Sequence, residues 1–101
     1  MDPDLPDLTI ADVVVSLAGH DEGQLLYVLD ADDTWLYLAN GKDRTIEKPK
    51  RKKRKHTRKV LRSDTRVAAK LRSGDKVLNS ELRRDLAYLS REVQSNNLGG
   101  Y

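Results

Sequence analysis

Residues 12–42 read DVVVSLAGHDEGQLLYVLDADDTWLYLANGK, a stretch in which three short apolar runs alternate with polar, glycine-containing segments. The runs at 12–17, 24–29 and 34–39 are rich in valine, leucine and aromatic residues, which favour β-strands. The segments between them contain the glycine, aspartate and asparagine residues that turns prefer. This stretch therefore predicts three consecutive strands.

The next part of the chain predicts two further strands. Asn40-Gly41 is a strong hairpin signal, so a fourth strand is expected over residues 42–46. Pro49 interrupts strand pairing because it lacks an amide proton, and a fifth strand is expected over residues 56–61. Five short strands joined by tight turns are typical of a small barrel. Three glycines are expected to have a structural role in the turns: Gly19, Gly23 and Gly41.

Residues 63–95 change to a helical period and predict an extension of one or two helices. Asp64 can cap a short helix that ends before Gly74. A longer helix, capped by Asn79 or Ser80, carries a single apolar stripe, which is expected to pack on the barrel or on a partner. The residues of this leucine stripe are Leu82, Leu86, Leu89 and Val93.

The domain organisation follows from these elements. The chain has 101 residues, which is the size of one small domain. Residues 9–62 are expected to form the barrel, and residues 63–95 the helical extension. The acidic, proline-containing residues 1–8 predict a flexible arm, and the non-periodic residues 96–101 predict a flexible tail.

Charge is distributed very unevenly along the chain. Residues 1–41 contain nine acidic residues and neither lysine nor arginine, whereas residues 42–59 contain eleven lysines and arginines and two acidic residues. The densest part, here called the basic segment, is residues 48–59, with nine lysines and arginines in twelve positions. Like charges at this density repel one another unless an anion is bound, and a nucleic-acid backbone is the natural counterpart. A solvated segment that only aids solubility, or a nuclear-localisation signal, would have the same sequence pattern.

Residues 12–42 resemble a KOW motif, the strand-loop-strand unit of SH3-like barrels in many ribosomal proteins and transcription factors. The resemblance is carried by Val14-Val15-Ser16, the glycine turn 19–23, Leu26, Val28, Leu36 and residues 39–42. Residues 39–56, with residues 79–83 later in the chain, are similar to a narrower group of small bacterial KOW-domain RNA-binding proteins. That group itself resembles a set of eukaryotic and archaeal large-subunit ribosomal proteins.

The resemblance implies a mainly β fold: a five-stranded SH3-like barrel with a helical C-terminal extension that binds structured RNA. Ribosomal RNA and the large ribosomal subunit are the partners it implies. KOW loops commonly place lysine or arginine beside their glycines, whereas this chain has His20, Asp21, Glu22 and Gln24 there. The expected contacts therefore move to later residues. The predicted RNA-binding residues are Lys42, Arg44, Lys48, Lys50, Arg51, Lys52, Lys53, Arg54, Lys55 and His56.

The aromatic side chains Tyr27, Trp35 and Tyr37 could stack on unpaired bases or belong to the core. Trp35 and Tyr37 lie two apart in a strand and share one face, while Leu36 and Leu38 share the other. Trp35 is predicted to be a core residue, because so small a barrel has few other large side chains to fill it. Both roles stay open for the two tyrosines.

The sequence contains no signature of an enzyme, a metal site or a cofactor site. Phosphate-loop and nucleophile-elbow motifs are missing, and the two histidines stand at no ligand spacing in a chain without cysteine. No run approaches the roughly 20 apolar residues of a membrane span. A cytoplasmic, non-catalytic protein without cofactor is therefore expected.

The predicted function is RNA binding through phosphate contacts on a folded RNA. RNA is preferred to DNA because of the KOW resemblance, since charge alone does not distinguish the two and no reading helix for a major groove is legible. The alternative is a protein-interaction adaptor that uses the acidic face of residues 12–33 or the leucine stripe. The oligomeric state is left open.

Overall fold

The computed structural model of the chain describes residues 8–99, and the side chains of residues 8–94. Its elements are β1 (Asp12–Ser16), β2 (Leu25–Ala31), β3 (Trp35–Ala39), β4 (Lys50–Lys53), β5 (Thr57–Arg62), α1 (Arg66–Ser73) and α2 (Asn79–Gly99). A short 3-10 turn, Arg54–His56, links β4 to β5. Of the predicted acidic arm, residues 1–7 lie outside the described residues, whereas Leu8 is buried.

The five strands form an antiparallel sheet in the order β4-β3-β2-β1-β5. The first four strands follow one another as a meander, and β5 returns to pair with β1. The two helices come after the last strand. This arrangement confirms the predicted mainly β class, a small five-stranded SH3-like fold with a helical C-terminal part.

The predicted strand over residues 42–46 is wrong, and the fourth strand lies further along the chain. Residues 40–49 form a loop around Asn40, whose side-chain oxygen accepts hydrogen bonds from the amides of Lys42 (2.9 Å) and Arg44 (3.1 Å). Such local bonds compete with strand pairing. β4 is instead formed within the basic segment and pairs with β3. The predicted fifth strand is confirmed, shifted by one residue, as β5.

Successive strand residues point to opposite faces of the sheet, and both faces bury apolar side chains. One face is filled by an aliphatic cluster: Leu8, Val14, Leu26, Val28, Leu36 and Leu38. On the other face, a second cluster joins Val13 and Tyr27 of the sheet to Val67 of α1 and Leu82 of α2. The helices therefore cover the second face and complete its core.

The cap of α1 is Thr65 rather than the predicted Asp64. The Thr65 side-chain oxygen accepts a hydrogen bond from the amide of Ala68 (3.2 Å), which is the usual geometry of a cap three residues before its donor. The helix ends at Gly74, whose φ of 79° lies in the left-handed region, as predicted.

The start of α2 holds the 40–49 loop. The side-chain oxygen of Asn79 accepts a hydrogen bond from the amide of Ile46 (2.9 Å), and its side-chain nitrogen donates to the Glu47 carboxylate (2.8 Å). Asn79 therefore tethers the loop rather than capping the helix. Glu81 accepts a hydrogen bond from the amide of Leu78 (3.1 Å), which is the capping contact of a glutamate in the first turn.

The leucine stripe of α2 packs on the protein's own sheet. Its buried members are Leu82, Leu86 and Leu89. Because these side chains lie in the core, they do not face a partner, and the adaptor hypothesis loses this surface. α2 continues into residues 96–99, which the sequence assigns to a flexible tail, while residues 100–101 lie outside the described residues.

A buried hydrogen-bond network ties the sheet to the helices. The fully buried Tyr27 hydroxyl donates to the Asp85 carboxylate of α2 and lies 2.8 Å from the Ser63 hydroxyl. Thr65 also donates to Asp85 (2.7 Å). Burial, reinforced by the hydrogen bond to the Asp85 carboxylate, raises the pKa of Tyr27 to about 12.

We expect the fold to lose stability between pH 10 and pH 12 as Tyr27 ionises. The pKa rises from 10.0 to about 12 on folding, so the folded chain binds the proton more tightly than the unfolded chain. The contribution of this proton to the free energy of unfolding therefore declines as the pH rises through this window. The loss is on the order of 2 kcal/mol at the top of the window. Urea unfolding at a series of pH values measures it. The Tyr27→Phe variant cannot ionise and should lack this part of the profile, so an unchanged profile would contradict the assignment.

Candidate nucleic-acid interface

The centre of the basic segment is an edge strand, so its residues alternate between two faces of the sheet. The register of β4 against β3 places Lys52 opposite Leu36 and Lys53 opposite Trp35. Leu36 is fully buried. Lys52 therefore points toward the core, and its two sequence neighbours point outward.

Lys52 belongs to the core, so the structure does not place it on the surface where the sequence predicts a phosphate contact. Its side chain is 8% exposed. Its ammonium group donates to Asp21 Oδ1 (2.9 Å), Ser16 Oγ (2.9 Å) and the carbonyl oxygen of Ala18 (2.6 Å). An ammonium group has three N–H donors. All of them are therefore engaged within the fold.

Asp21 is the buried anionic partner of Lys52. Burial opposes ionisation, but the hydrogen bonds from Lys52 and Ser16 outweigh it and hold the pKa of Asp21 below 3.8. Arg44 lies at the edge of this pair, with its Nε 4.0 Å from Asp21 Oδ2 and 31% of its side chain exposed. Arg44 thus lies beside a buried carboxylate, while part of its side chain remains on the surface, where the sequence predicts an RNA contact.

Trp35 lies on the face of β3 opposite Leu36 and Leu38, here called the outward face. It is not among the buried core residues, so its prediction as a core residue is wrong. The indole is half-buried, with the Arg51 guanidinium carbon 4.2 Å and the Lys53 ammonium 5.6 Å from its ring centroid. Both distances are within the range of cation–π attraction. The core does not need the indole, because aliphatic side chains such as Leu36 and Leu38 fill the opposite face.

A shallow groove of about 300 Å³ lies along β4 beside Trp35. The groove is lined by the four residues of β4, by Trp35, by His56, and by Ala18 and Gly19 from the turn after β1. An aromatic ring and several cations therefore share one concave surface. The sequence assigns the cations to the binding surface, whereas it predicts the Trp35 ring to be a core residue.

The remaining predicted contacts flank the groove or are held by the fold. Lys42 and Lys48 are exposed in the 40–49 loop, and Lys55 and His56 are exposed in the 3-10 turn. Arg54 is half-buried, and its Nε donates to the carbonyl oxygen of Asp32 (2.7 Å). Lys55 therefore lies next to His56, which lines the groove, whereas Arg54 helps to fix the end of β4 in place.

The cations on the outward side lack carboxylate partners. Within the side chains that the structure describes, Arg51, Lys53 and Lys55 form no ion pair, and neither does Lys50, which lies on the same face of β4 as Lys52. In contrast, Lys59 of β5 lies 3.3 Å from a carboxylate oxygen of Asp12. Neighbouring cations without counter-charges repel one another, and binding of a polyanion relieves that repulsion.

The three glycines to which the sequence assigns a turn role all have positive φ. The values are 85° for Gly19, 84° for Gly23 and 78° for Gly41. Gly19 and Gly23 lie in the turn that places Asp21 beside Lys52, whereas Gly41 is the second residue of the 40–49 loop. The turn between β1 and β2 therefore positions a buried ion pair.

No protein-family model matches the chain, and no curated protein matches it. In the part of the chain that the structure describes, no helix is long and apolar enough to cross a membrane. Among the same residues, no group of three or more histidine or acidic side chains is placed to hold a metal ion. The groove along β4 is the candidate site.

Proposed function

We propose that this protein is a non-catalytic RNA-binding module of the cytoplasm, with structured ribosomal RNA as its partner. The observation that carries the proposal is the edge strand β4. It directs Arg51 and Lys53 outward beside Trp35, and neither has a carboxylate partner among the described side chains. Charged N–H donors of this kind make the phosphate contacts that position a protein on nucleic acid.

The strand supports this function because it arranges the cations before binding. Pairing with β3 fixes the β4 backbone, and the Arg54 contact fixes its end. Lys55 and His56 continue the surface at that end. Binding then orders side chains but not backbone, so the entropy lost is smaller than for a disordered polycation.

The choice of RNA depends on the KOW resemblance of residues 12–42, and the choice of ribosomal RNA on the narrower resemblance of residues 39–56. Charge attracts both kinds of nucleic acid. Equal affinity for duplex DNA and structured RNA of the same length would therefore contradict this part of the proposal.

A triple variant, Arg51→Gln, Lys53→Gln and Lys55→Gln, is expected to bind a structured RNA at least about 10-fold more weakly at about 0.1 M salt. Each lost phosphate contact removes about 0.7 to 0.9 from the slope of log affinity against log salt, so the slope should become shallower by about 2 to 3. Fluorescence anisotropy of a labelled RNA hairpin at several salt concentrations measures both quantities.

A matched control removes the same charge from the helical side of the protein. Lys76, Arg84 and Arg91 are exposed, and their replacement by glutamine should leave most of the affinity intact. Equal losses in the two triple variants would show that only net charge matters and would contradict the site.

Sedimentation of cell lysates tests the ribosomal partner. Wild-type protein should migrate with the large ribosomal subunit at about 0.5 M salt, a condition that screens non-specific contacts, whereas the β4 triple variant should not. Protein that stays at the top of the gradient in low and high salt would contradict the ribosomal assignment and favour either a non-ribosomal RNA or an adaptor that acts through the exposed acidic residues of 12–33.

A further inference from the structure

We propose that the groove along β4 holds one unpaired nucleotide of the bound RNA, with its base stacked on Trp35. This inference rests on the proposed function and deepens it, because it names the class of RNA that the site takes. A loop, a bulge or a single-stranded end offers such a nucleotide, whereas a continuous duplex does not.

The position of Trp35 carries the first step. Burying an aromatic side chain stabilises a fold, yet this indole stays half-buried on the outward face while leucines fill the core. Arg51 and Lys53 lie 4.2 Å and 5.6 Å from its ring centroid. The indole ring therefore faces the same groove as these two cations.

The chemistry of stacking carries the second step. Any of the nucleobases can stack on an aromatic side chain, because every base has a π-face. In a double helix those faces are covered by the neighbouring base pairs, and only edges and backbone are accessible. An indole can thus stack on a base only where the base is unpaired.

The size and charge of the groove carry the third step. A volume of about 300 Å³ is sufficient for a single base with part of its sugar. A base seated there has a phosphate on either side, and Lys50 and Lys53 line the same groove. Arg51 is exposed, so its guanidinium is free to leave the ring for a phosphate when the base takes its place.

Lys52 has a different part in this site. It lines the groove, but its three donors are engaged by Ser16, Ala18 and Asp21. Lys52 therefore forms a wall of the site, and recognition falls to Trp35 and the outward cations.

Trp35 is the only tryptophan in the chain, so its fluorescence reports directly on the groove. We expect a single-stranded uridine oligonucleotide to quench this fluorescence at saturation, and a blunt RNA duplex with the same number of phosphates to leave it nearly unchanged. Anisotropy of labelled versions of both RNAs measures binding independently of the indole. The two signals together separate stacking from electrostatic attachment.

The Trp35→Ala variant should bind the single strand about 10-fold or more weakly, while its affinity for the duplex should change less than about 2-fold. Trp35→Tyr keeps an aromatic face and should retain most of the single-strand affinity. Thermal unfolding by circular dichroism checks that both variants are folded, and Trp35→Tyr supplies the test if Trp35→Ala is not.

The outcomes distinguish this inference from the function beneath it. Wild-type protein that binds both RNAs without quenching, together with a Trp35→Ala variant of unchanged affinity, would overturn the nucleotide site and leave RNA binding in place. Absence of anisotropy change with either RNA would overturn both proposals.

Discussion

Replacing Lys52 by methionine is expected to lower the free energy of unfolding by about 3 kcal/mol. Methionine has nearly the length of lysine but no N–H donor, so the Asp21 carboxylate, which is 2% exposed, would lose its ion pair at 2.9 Å. A buried charge left without its partner is strongly destabilising. Because small domains are stable by only about 5 to 15 kcal/mol, the loss is a large fraction of the total. Urea unfolding followed by circular dichroism measures it.

Lys53→Met is the matched control for this prediction. The two lysines are neighbours on one strand, but Lys53 points outward toward Trp35. Its replacement should change stability by less than about 0.5 kcal/mol and should weaken RNA binding. If Lys52→Met were as stable as the wild type and bound RNA more weakly, Lys52 would be an RNA contact, and its placement in the core would be wrong.

A double-mutant cycle with Asp21→Asn isolates the ion pair. Once Lys52 is methionine, the charge of Asp21 has lost its partner, so removing that charge should recover part of the stability. The double variant is therefore expected to be less destabilised than the sum of the two single variants. Additive effects would show that the two side chains do not interact.

Gly41→Ala is expected to destabilise the fold by about 3 kcal/mol, through backbone strain and overpacking together. The φ of 78° lies in the left-handed region, and an added Cβ would stand 2.2 Å from the backbone oxygen of Asn79. The carbonyl oxygen of Gly41 also accepts a hydrogen bond from Arg83 (2.6 Å). The loop and the start of α2 would have to move apart, and chemical denaturation measures the cost.

Gly23→Ala separates the two causes. Gly23 has a similar φ of 84°, but nothing lies within 4 Å of an added Cβ. Its replacement should therefore cost only the backbone term of about 1 kcal/mol. Equal losses in the two variants would contradict the close approach between Gly41 and α2.

These predictions divide the basic segment into residues that stabilise the fold, such as Lys52, and residues that we propose contact RNA, such as Arg51 and Lys53. A variant that neutralises Lys52 together with its neighbours would mix loss of folding with loss of binding. Functional tests of this protein should therefore leave Lys52 in place.

Local patterns were sufficient for much of the fold. The three apolar runs of residues 12–42 become β1, β2 and β3, and the change to a helical period after β5 becomes α1 and α2. Strand and helix propensity act over a few residues, which is why they can be read in order along the chain. The end of α1 at Gly74 depends on equally local chemistry.

The fourth strand could not be placed in this way. Asn40-Gly41 is a hairpin signal, but Asn40 folds its own side chain onto the following amides. The loop is then held by Asn79, which accepts a hydrogen bond from Ile46, more than thirty residues earlier in the sequence. A contact of that separation leaves no trace in a local pattern.

For the candidate site, the sequence by itself determined that a dense row of cations follows a strand of alternating aromatic and aliphatic residues, since composition and alternation are properties of neighbouring residues. Only the tertiary structure decided which cations are available. The register of β4 against β3 turned Lys52 inward and left Trp35 outside. The turn after β1 then supplied the acceptors that engage Lys52. Burial and ion pairing depend on which distant segments meet, and strand pairing brings those segments together.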